Sequence, residues 1–263
     1  MPRYRPSFDA GEYRCRGAHF RLDTERGPLL YTYIRKNAST AFKMHLSSDP
    51  PLLVRLRRRF IAKNYYRLAD MKHRRIAPSD NRDGLAGGLF VYRDPMERIV
   101  SFYLNKFVQP LVRGYRPGGE GLIRGKRAAD ARFSDLLTYL EAPFDDLDVH
   151  CIPQKAHLLE MDYTHPVRID RLEQVMAELI GPDAAAAGFG KKWNASGRAG
   201  ETVEDDLTDR TAEDLATSGL KLRPANFLGP DARAFLAERY AEDMEMVAEI
   251  EGTEAHTPPS ATA

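Results

Sequence analysis

At 263 residues and 29.7 kDa, with 43% apolar and 29% charged residues, the chain suits one large α/β domain, or one with a small appendage, and its core needs no structural metal. A net charge of +1 excludes the strongly basic field of a general nucleic-acid binder, and the widely separated Cys15 and Cys151 exclude a disulfide framework or a cysteine metal site. No apolar run approaches the roughly 18 to 20 residues of a membrane span, and the opening MPRYRPSFDAGEYRCRG lacks a signal-peptide core, so a cytoplasmic, reduced protein is expected.

Residues 1–20 read as an irregular arm, 21–250 as the folded domain and 251–263 as a disordered tail. The run 29–34 (Leu-Leu-Tyr-Thr-Tyr-Ile) is short, apolar and rich in aromatic residues, which predicts a buried central strand. Arg35-Lys36-Asn37-Ala38-Ser39-Thr40 forms the turn after it, and 41–46 suits a helix. A second helix is predicted over 51–64, inside a stretch, 55–75, that carries nine Lys or Arg and one acid, Asp70. That stretch either attracts an acidic glycan or is a solvated helix face. Residues 87–92 predict another buried strand, followed by Arg93-Asp94-Pro95 and a helix over 96–108, with Asp94 as N-cap and Pro95 at the first helical position. Residues 109–132 form a Gly/Arg/Pro-rich loop long enough to face a substrate. Helices are predicted over 133–141, 153–161, 171–180 and 230–250, with a short strand at 167–169 and a polar loop at 188–200. This alternation predicts an α/β fold, P-loop-like in its three layers, with a central mainly parallel sheet flanked by helices.

In such a sheet, ligands gather beyond the carboxyl ends of the strands, where helix N-termini present N–H donors. Both informative turns fall there. Lys36 supplies a mobile cation, and the Ser39 and Thr40 hydroxyls add donors at a helix start, which is the chemistry of a phosphate cradle. It is not a Walker A loop, because G-x-x-x-x-G-K-[ST] occurs nowhere in the chain. At the second turn, Arg93 offers a guanidinium fork matched to phosphate oxygens, and Arg98, Ser101 and Asn105 fall on one helical face behind it. Read alone, Arg93-Asp94-Pro95 is most often a capping device. The two turns in this order, about 55 residues apart, point to one ligand with two anionic groups.

Residues 33–43 (YIRKNASTAFK) resemble the 5′-phosphosulfate loop of carbohydrate sulfotransferases, specifically the Golgi-type glycan branch with the chondroitin and dermatan 4-O-sulfotransferases. Residues 90–103 (FVYRDPMERIVSFY), with Lys106 and Phe107, are similar to that family's 3′-phosphate motif. Fainter likenesses follow in order: 149–154 (VHCIPQ) to a His-Trp-x-Pro-Gln segment, 193–196 (WNAS) to an Asn-Ser element, and 239–244 (RYAEDM) to a closing Tyr-x-x-Asp helix. Cys151 stands where the family has Trp. The resemblance implies a soluble, bacterial-type enzyme that uses 3′-phosphoadenosine 5′-phosphosulfate (PAPS), releases PAP and sulfates a carbohydrate or other hydroxyl acceptor, with no nucleic-acid partner and no metal. It assigns Arg35, Lys36, Asn37, Ala38, Ser39 and Thr40 to the 5′-phosphosulfate and Arg93 and Ser101 to the 3′-phosphate. It also implies that a loop with Lys192, Trp193 and Arg198 closes over the nucleotide.

In-line sulfuryl transfer asks the protein to position groups and to stabilise charge on the leaving oxygen, a task for Lys36. An acceptor hydroxyl also needs a base. His73 lies 20 residues before Arg93, at a relative position where heparan-type sulfotransferases carry a catalytic histidine; its alternative is a solvated histidine on a basic helix. His150 is the second candidate, as base or as acceptor-orienting group, and His45 reads as structural. Two rival functions stay open: a kinase or other phosphotransferase with a degenerate P-loop, and a non-catalytic polyanion-binding module.

Overall fold

Five strands pair in the order β3-β1-β2-β4-β5, with β1 at Ala18–Leu22, β2 at Leu29–Tyr33, β3 at Arg75–Ile76, β4 at Gly88–Tyr92 and β5 at Tyr163–Arg168. The computed structural model describes residues 2–8, 15–47, 68–190 and 200–255. The helix expected at 51–64, most of the basic stretch 55–75 and the loop 192–198 lie outside those residues. The helices in chain order are α1 (Ser39–Leu46), α2 (Pro95–Tyr103), α3 (Gln109–Val112), α4 (Phe133–Tyr139) and α5 (Leu172–Ile180). They continue with α6 (Pro182–Gly188), α7 (Ala212–Thr217), α8 (Pro230–Arg239) and α9 (Ala241–Ala255). None of the described helices is long and apolar enough to cross a membrane.

The chain divides into two compact units, one of residues 1–93, 154–193 and 245–263, the other of 94–153 and 194–244. The first holds the sheet. Strands β2, β4 and β5 are parallel, whereas β1 runs antiparallel to both β2 and β3. Alternation of side chains divides the sheet's residues between two cores. Phe20, Leu22, Tyr31, Tyr33, Leu89, Val91 and Val167 pack with Phe42 of α1, Met176 of α5 and Ala185 of α6. Leu30, Ile34, Phe90, Tyr92 and Tyr163 face the other way and meet Leu158, Leu159 and the α9 residues Met246 and Ile250. The sheet is therefore covered on both faces, the α/β arrangement expected from the sequence. Tyr31 stacks on Phe42 with ring centroids 3.8 Å apart, which fixes α1 against β2. The second unit is helical, built around Phe102, Tyr103, Phe107, Phe133, Leu215, Phe227 and Leu236.

Several boundaries differ from expectation, each for a local reason. The expected arm contributes β1, a strand masked in sequence by the polar His19 and Arg21. Strand β5 begins at Tyr163 rather than 167 and contains Pro166, which an edge strand tolerates because one side of it has no ladder to complete. The helix expected over 153–161 is only a 3-10 turn, Lys155–His157, followed by extended backbone at Leu158 (ψ 155°). The helix after Pro95 changes to a π turn over Leu104–Val108 before α3, and the last helix breaks at Tyr240 (φ −115°, ψ 32°) into α8 and α9.

Candidate anion-binding site

The turn from β2 into α1 places two residues other than glycine in the left-handed region, Lys36 at φ 69° and Ala38 at φ 53°. Each costs about 1–2 kcal/mol relative to ordinary backbone. Left-handed residues that alternate along a turn curl successive N–H groups toward one point, making an anion-binding concavity. The helix beyond it begins in the same sense. The N-cap Ala38 has no capping side chain and the first turn carries no acid, so the N–H groups opening α1 face no carboxylate of their own helix. Ser39 and Thr40, both half-buried, bring hydroxyls to the same place. Arg35 and Lys43 lie 5.5 and 5.4 Å from the centroid of the Tyr33 ring, adding two cations beside the turn. Lys43 was part of the recognised motif but not singled out from sequence.

The register of the sheet decides whether the second turn shares this edge. In the parallel pair β2/β4, Leu30 lies opposite Gly88, Tyr31 opposite Leu89 and Thr32 opposite Phe90. Continued forward, the same offset sets Arg35 level with Arg93. Neighbouring strands are about 4.8 Å apart, so the two turns leave the sheet side by side at its carboxyl edge. A buried amide bridge ties them. Asn37, 1% exposed, donates from Nδ2 to Val91 O (2.8 Å) and to Gln154 Oε1 (2.6 Å). Gln154, 0% exposed, also pairs with the Arg93 peptide, accepting from Arg93 N (3.2 Å) and donating from Nε2 to Arg93 O (3.0 Å). The Asn37 side chain therefore points inward, away from any ligand, and its backbone N–H bonds Ile34 O at 3.4 Å. Its part in the turn is positional.

Asp94 and Pro95 behave as a helix start should. Asp94 Oδ1 accepts from Glu97 N at 2.9 Å, and Pro95 occupies the first turn. Of the polar face expected behind Arg93, Arg98 turns inward. Arg98 is 0% exposed and donates from Nη2 to Ile152 O (2.8 Å), because burial of a guanidinium demands such an acceptor. Ser101 is half-buried on α2 within the second unit, and Asn105 donates to Gln109 Oε1 at 3.2 Å.

Of the histidines, His73 is not brought to the cradle. It lines an exposed groove with Arg21, Asp23, Arg74 and Arg75. Arg75 pairs with Phe20, which lies opposite Tyr31, so the chain two residues earlier lies toward Leu29 and the amino end of β2. His45 lies near that end of α1, tilted on Phe189 at 5.5 Å, and burial followed by the Arg74 charge lowers its pKa. His150, in the second unit, has a different setting. Its Nδ1 lies 2.5 Å from Asp148 Oδ1, its N–H donates to the same oxygen at 2.8 Å, and its ring stacks on Phe102 at 5.6 Å. Burial opposes ionisation of Asp148, but the hydrogen bonds from His150, with the His150 and Lys106 charges, outweigh it and hold the carboxyl down at about 2. Asp148 was missed from sequence, although its Asp-x-His spacing was readable. The neighbouring Cys151 is buried, which raises its thiol to about 12, and its carbonyl accepts from Tyr240 Oη at 2.6 Å. Lys192, Trp193 and Arg198 lie outside the described residues.

A covered α/β sheet whose carboxyl edge carries a left-handed cationic turn, an uncapped helix start and an adjacent arginine turn defines an anion-handling α/β protein. The family is then given by comparison: a model of the Sulfotransferase family matches residues 18–246, and the chain belongs to that family. It is a transferase that moves a sulfuryl group to an acceptor. No curated protein and no solved structure matches the chain.

Proposed function

We propose that this sulfotransferase takes its sulfuryl group from PAPS and delivers it to a hydroxyl of a carbohydrate acceptor. The observation that carries the reading is the pair of cationic turns on adjacent parallel strands, joined through Asn37, Gln154 and Arg93. PAPS supplies an activated sulfuryl group on a 5′-phosphate together with a second phosphate at the 3′ position. One nucleotide with two anionic ends calls for two cationic turns a short distance apart. Arg35, Lys36, Ala38, Ser39 and Thr40 would hold the 5′ end through the concave turn and the start of α1, and Arg93 the 3′-phosphate through its guanidinium fork. Lys36, a compact charge on a flexible stem, neutralises the negative charge that accumulates on the leaving oxygen. Lys192, Trp193 and Arg198 would close over the nucleotide.

The base is a histidine, with His73 and His150 as the candidates, and loss of transfer in His73→Ala or in His150→Ala decides between them. At His150 the Asp148 carboxylate lies against Nδ1 and orients the ring. The carbohydrate class rests on the likeness of 33–43, 90–103 and 149–154 to glycan sulfotransferases. The test is transfer of labelled sulfate from PAPS to a panel of oligosaccharides, with simple phenols and alcohols alongside. Label on a saccharide, abolished in Lys36→Ala, is expected. Label on phenols alone would reject the acceptor class. Phosphoryl transfer from Mg-ATP without sulfuryl transfer would reject the whole reading.

A further inference from the structure

At the end of β4 the sheet stops supplying partners to the backbone. The pairing of β4 runs to Phe90 on the β2 side and to Tyr92 on the β5 side. One residue on, the Gln154 amide takes up the Arg93 peptide with the two bonds that a facing strand residue would exchange. It accepts from Arg93 N at 3.2 Å and donates to Arg93 O at 3.0 Å. Gln154 is fully buried, and the short turn that it opens is closed by His157 N on Gln154 O at 3.0 Å. Leu158, next in the chain, is packed into the core of the sheet's second face.

The hydrogens fix how this amide meets the first turn. Arg93 N requires Oε1 and Arg93 O requires Nε2, so the oxygen of Gln154 is the atom that receives Asn37 Nδ2, at 2.6 Å. A flipped Asn37 would set its own oxygen against Val91 O and Gln154 Oε1, acceptor against acceptor. Both amides are thereby locked, and Gln154 Oε1 takes two donors, one from each turn. The lock leaves a defect: Asn37 Oδ1 is buried and has no donor among the described residues. Asn37 also sits between Lys36 and Ala38, the two left-handed residues. An unmet acceptor between two strained residues marks a place shaped for position rather than for stability.

We propose that Gln154 is a positioning residue that sets the protein's discrimination for a nucleotide 3′-phosphate, by holding the Arg93 backbone at a fixed offset from the first turn. The inference rests on the proposed use of PAPS and of Arg93. Gln154 touches neither nucleotide nor acceptor in this scheme and acts through the Arg93 peptide. A guanidinium fork meets phosphate oxygens through directional bonds, so releasing its backbone misaligns it and weakens the grip on the 3′ end. The first turn keeps a second tie, Asn37 Nδ2 to Val91 O at 2.8 Å, and so keeps its hold on the 5′ end. Loss of Gln154 is therefore selective: it removes the preference for the second phosphate and spares the first.

The test titrates PAP and AMP into the full chain by calorimetry, for wild type, Arg93→Ala, Gln154→Met and the double variant. Met keeps the length of Gln without its amide. Gln154→Asn, which keeps the amide but ends one carbon short of the Arg93 peptide, is run beside it, so that a variant that does not fold leaves the other to decide. In a folded variant PAP is expected to weaken about 10-fold while AMP stays within about twofold of wild type. In the Arg93→Ala background Gln154→Met should change neither affinity, because the side chain through which Gln154 acts is gone. A merely structural role would weaken both nucleotides alike, by the same factor in both backgrounds, and that result would overturn the inference. A PAP preference retained in a folded Gln154 variant would also overturn it, with the PAPS reading left standing. A wild type that binds AMP as tightly as PAP would remove both.

Discussion

At the end of β2 the chain turns through two left-handed residues, Lys36 and Ala38, and enters α1 with no side-chain cap and no acid in the first turn. At the end of β4 it turns through Arg93 and enters α2 beneath the Asp94 carboxylate, with Glu97 one turn on. The strained turn offers backbone donors to an outside anion, whereas the relaxed one has already assigned its helix start to its own aspartate. The second turn would serve an anion through a side chain, in the proposed reading that of Arg93. Asp94 does the capping, so in the proposed reading phosphate binding falls to Arg93, and the two readings of Arg93-Asp94-Pro95 need not compete.

Substitutions can separate the two designs, and the largest effect is expected at Lys36. Lys36→Ala should lower kcat by roughly 100-fold or more with a smaller change in PAP affinity, because in the proposed mechanism its charge is matched to the transition state. Steady-state and binding measurements together check this. Gln154→Leu comes next. It strands the Asn37 amide and both polar groups of the Arg93 peptide, at a cost of about 2–4 kcal/mol that thermal or urea unfolding would register. Asp94→Ala should cost about 1 kcal/mol of stability and leave PAP affinity unchanged, which calorimetry and a melting curve would establish. Smallest is Ala38→Gly, expected to stabilise by up to about 1 kcal/mol by relieving the left-handed strain, whereas a β-branched Ala38→Val should destabilise.

Protons offer a further contrast, away from both turns. His19 has its folded pKa depressed from 6.5 to about 4, so the unfolded chain binds the proton more readily. Stability from this residue is complete above pH 6.5 and is lost as pH falls from there to about 4, by up to roughly 3 kcal/mol. Urea unfolding across that range should show the slope, flattened in a folded His19→Gln variant.

Much of this was legible in the chain because dense local patterns determine it. The runs that became β2 and β4, and the Asp94-Pro95 helix start, need only their own residues and immediate neighbours. What escaped depends on distant partners. Strand β1 contains His19, buried with its Nδ1 3.1 Å from Thr32 Oγ1, and β3 is two residues long. Asn37 reads as a ligand donor until Val91 and Gln154, 54 and 117 residues away, are seen to claim its amide. His73 stands between the two turns in sequence, but the edge strand β3, paired with β1, starts with Arg75 at the level of Tyr31 and leaves the histidine toward the amino end of β2.

The claim that two turns grip the two ends of one nucleotide is tested most directly by titrating PAP and AMP, which lacks the 3′-phosphate, into wild type and Arg93→Ala by calorimetry. Arg93→Ala should weaken PAP by about 10-fold or more, the worth of a charge-assisted guanidinium–phosphate contact, and leave AMP binding as it is in wild type. Equal losses for both nucleotides, or no loss for either, would contradict it.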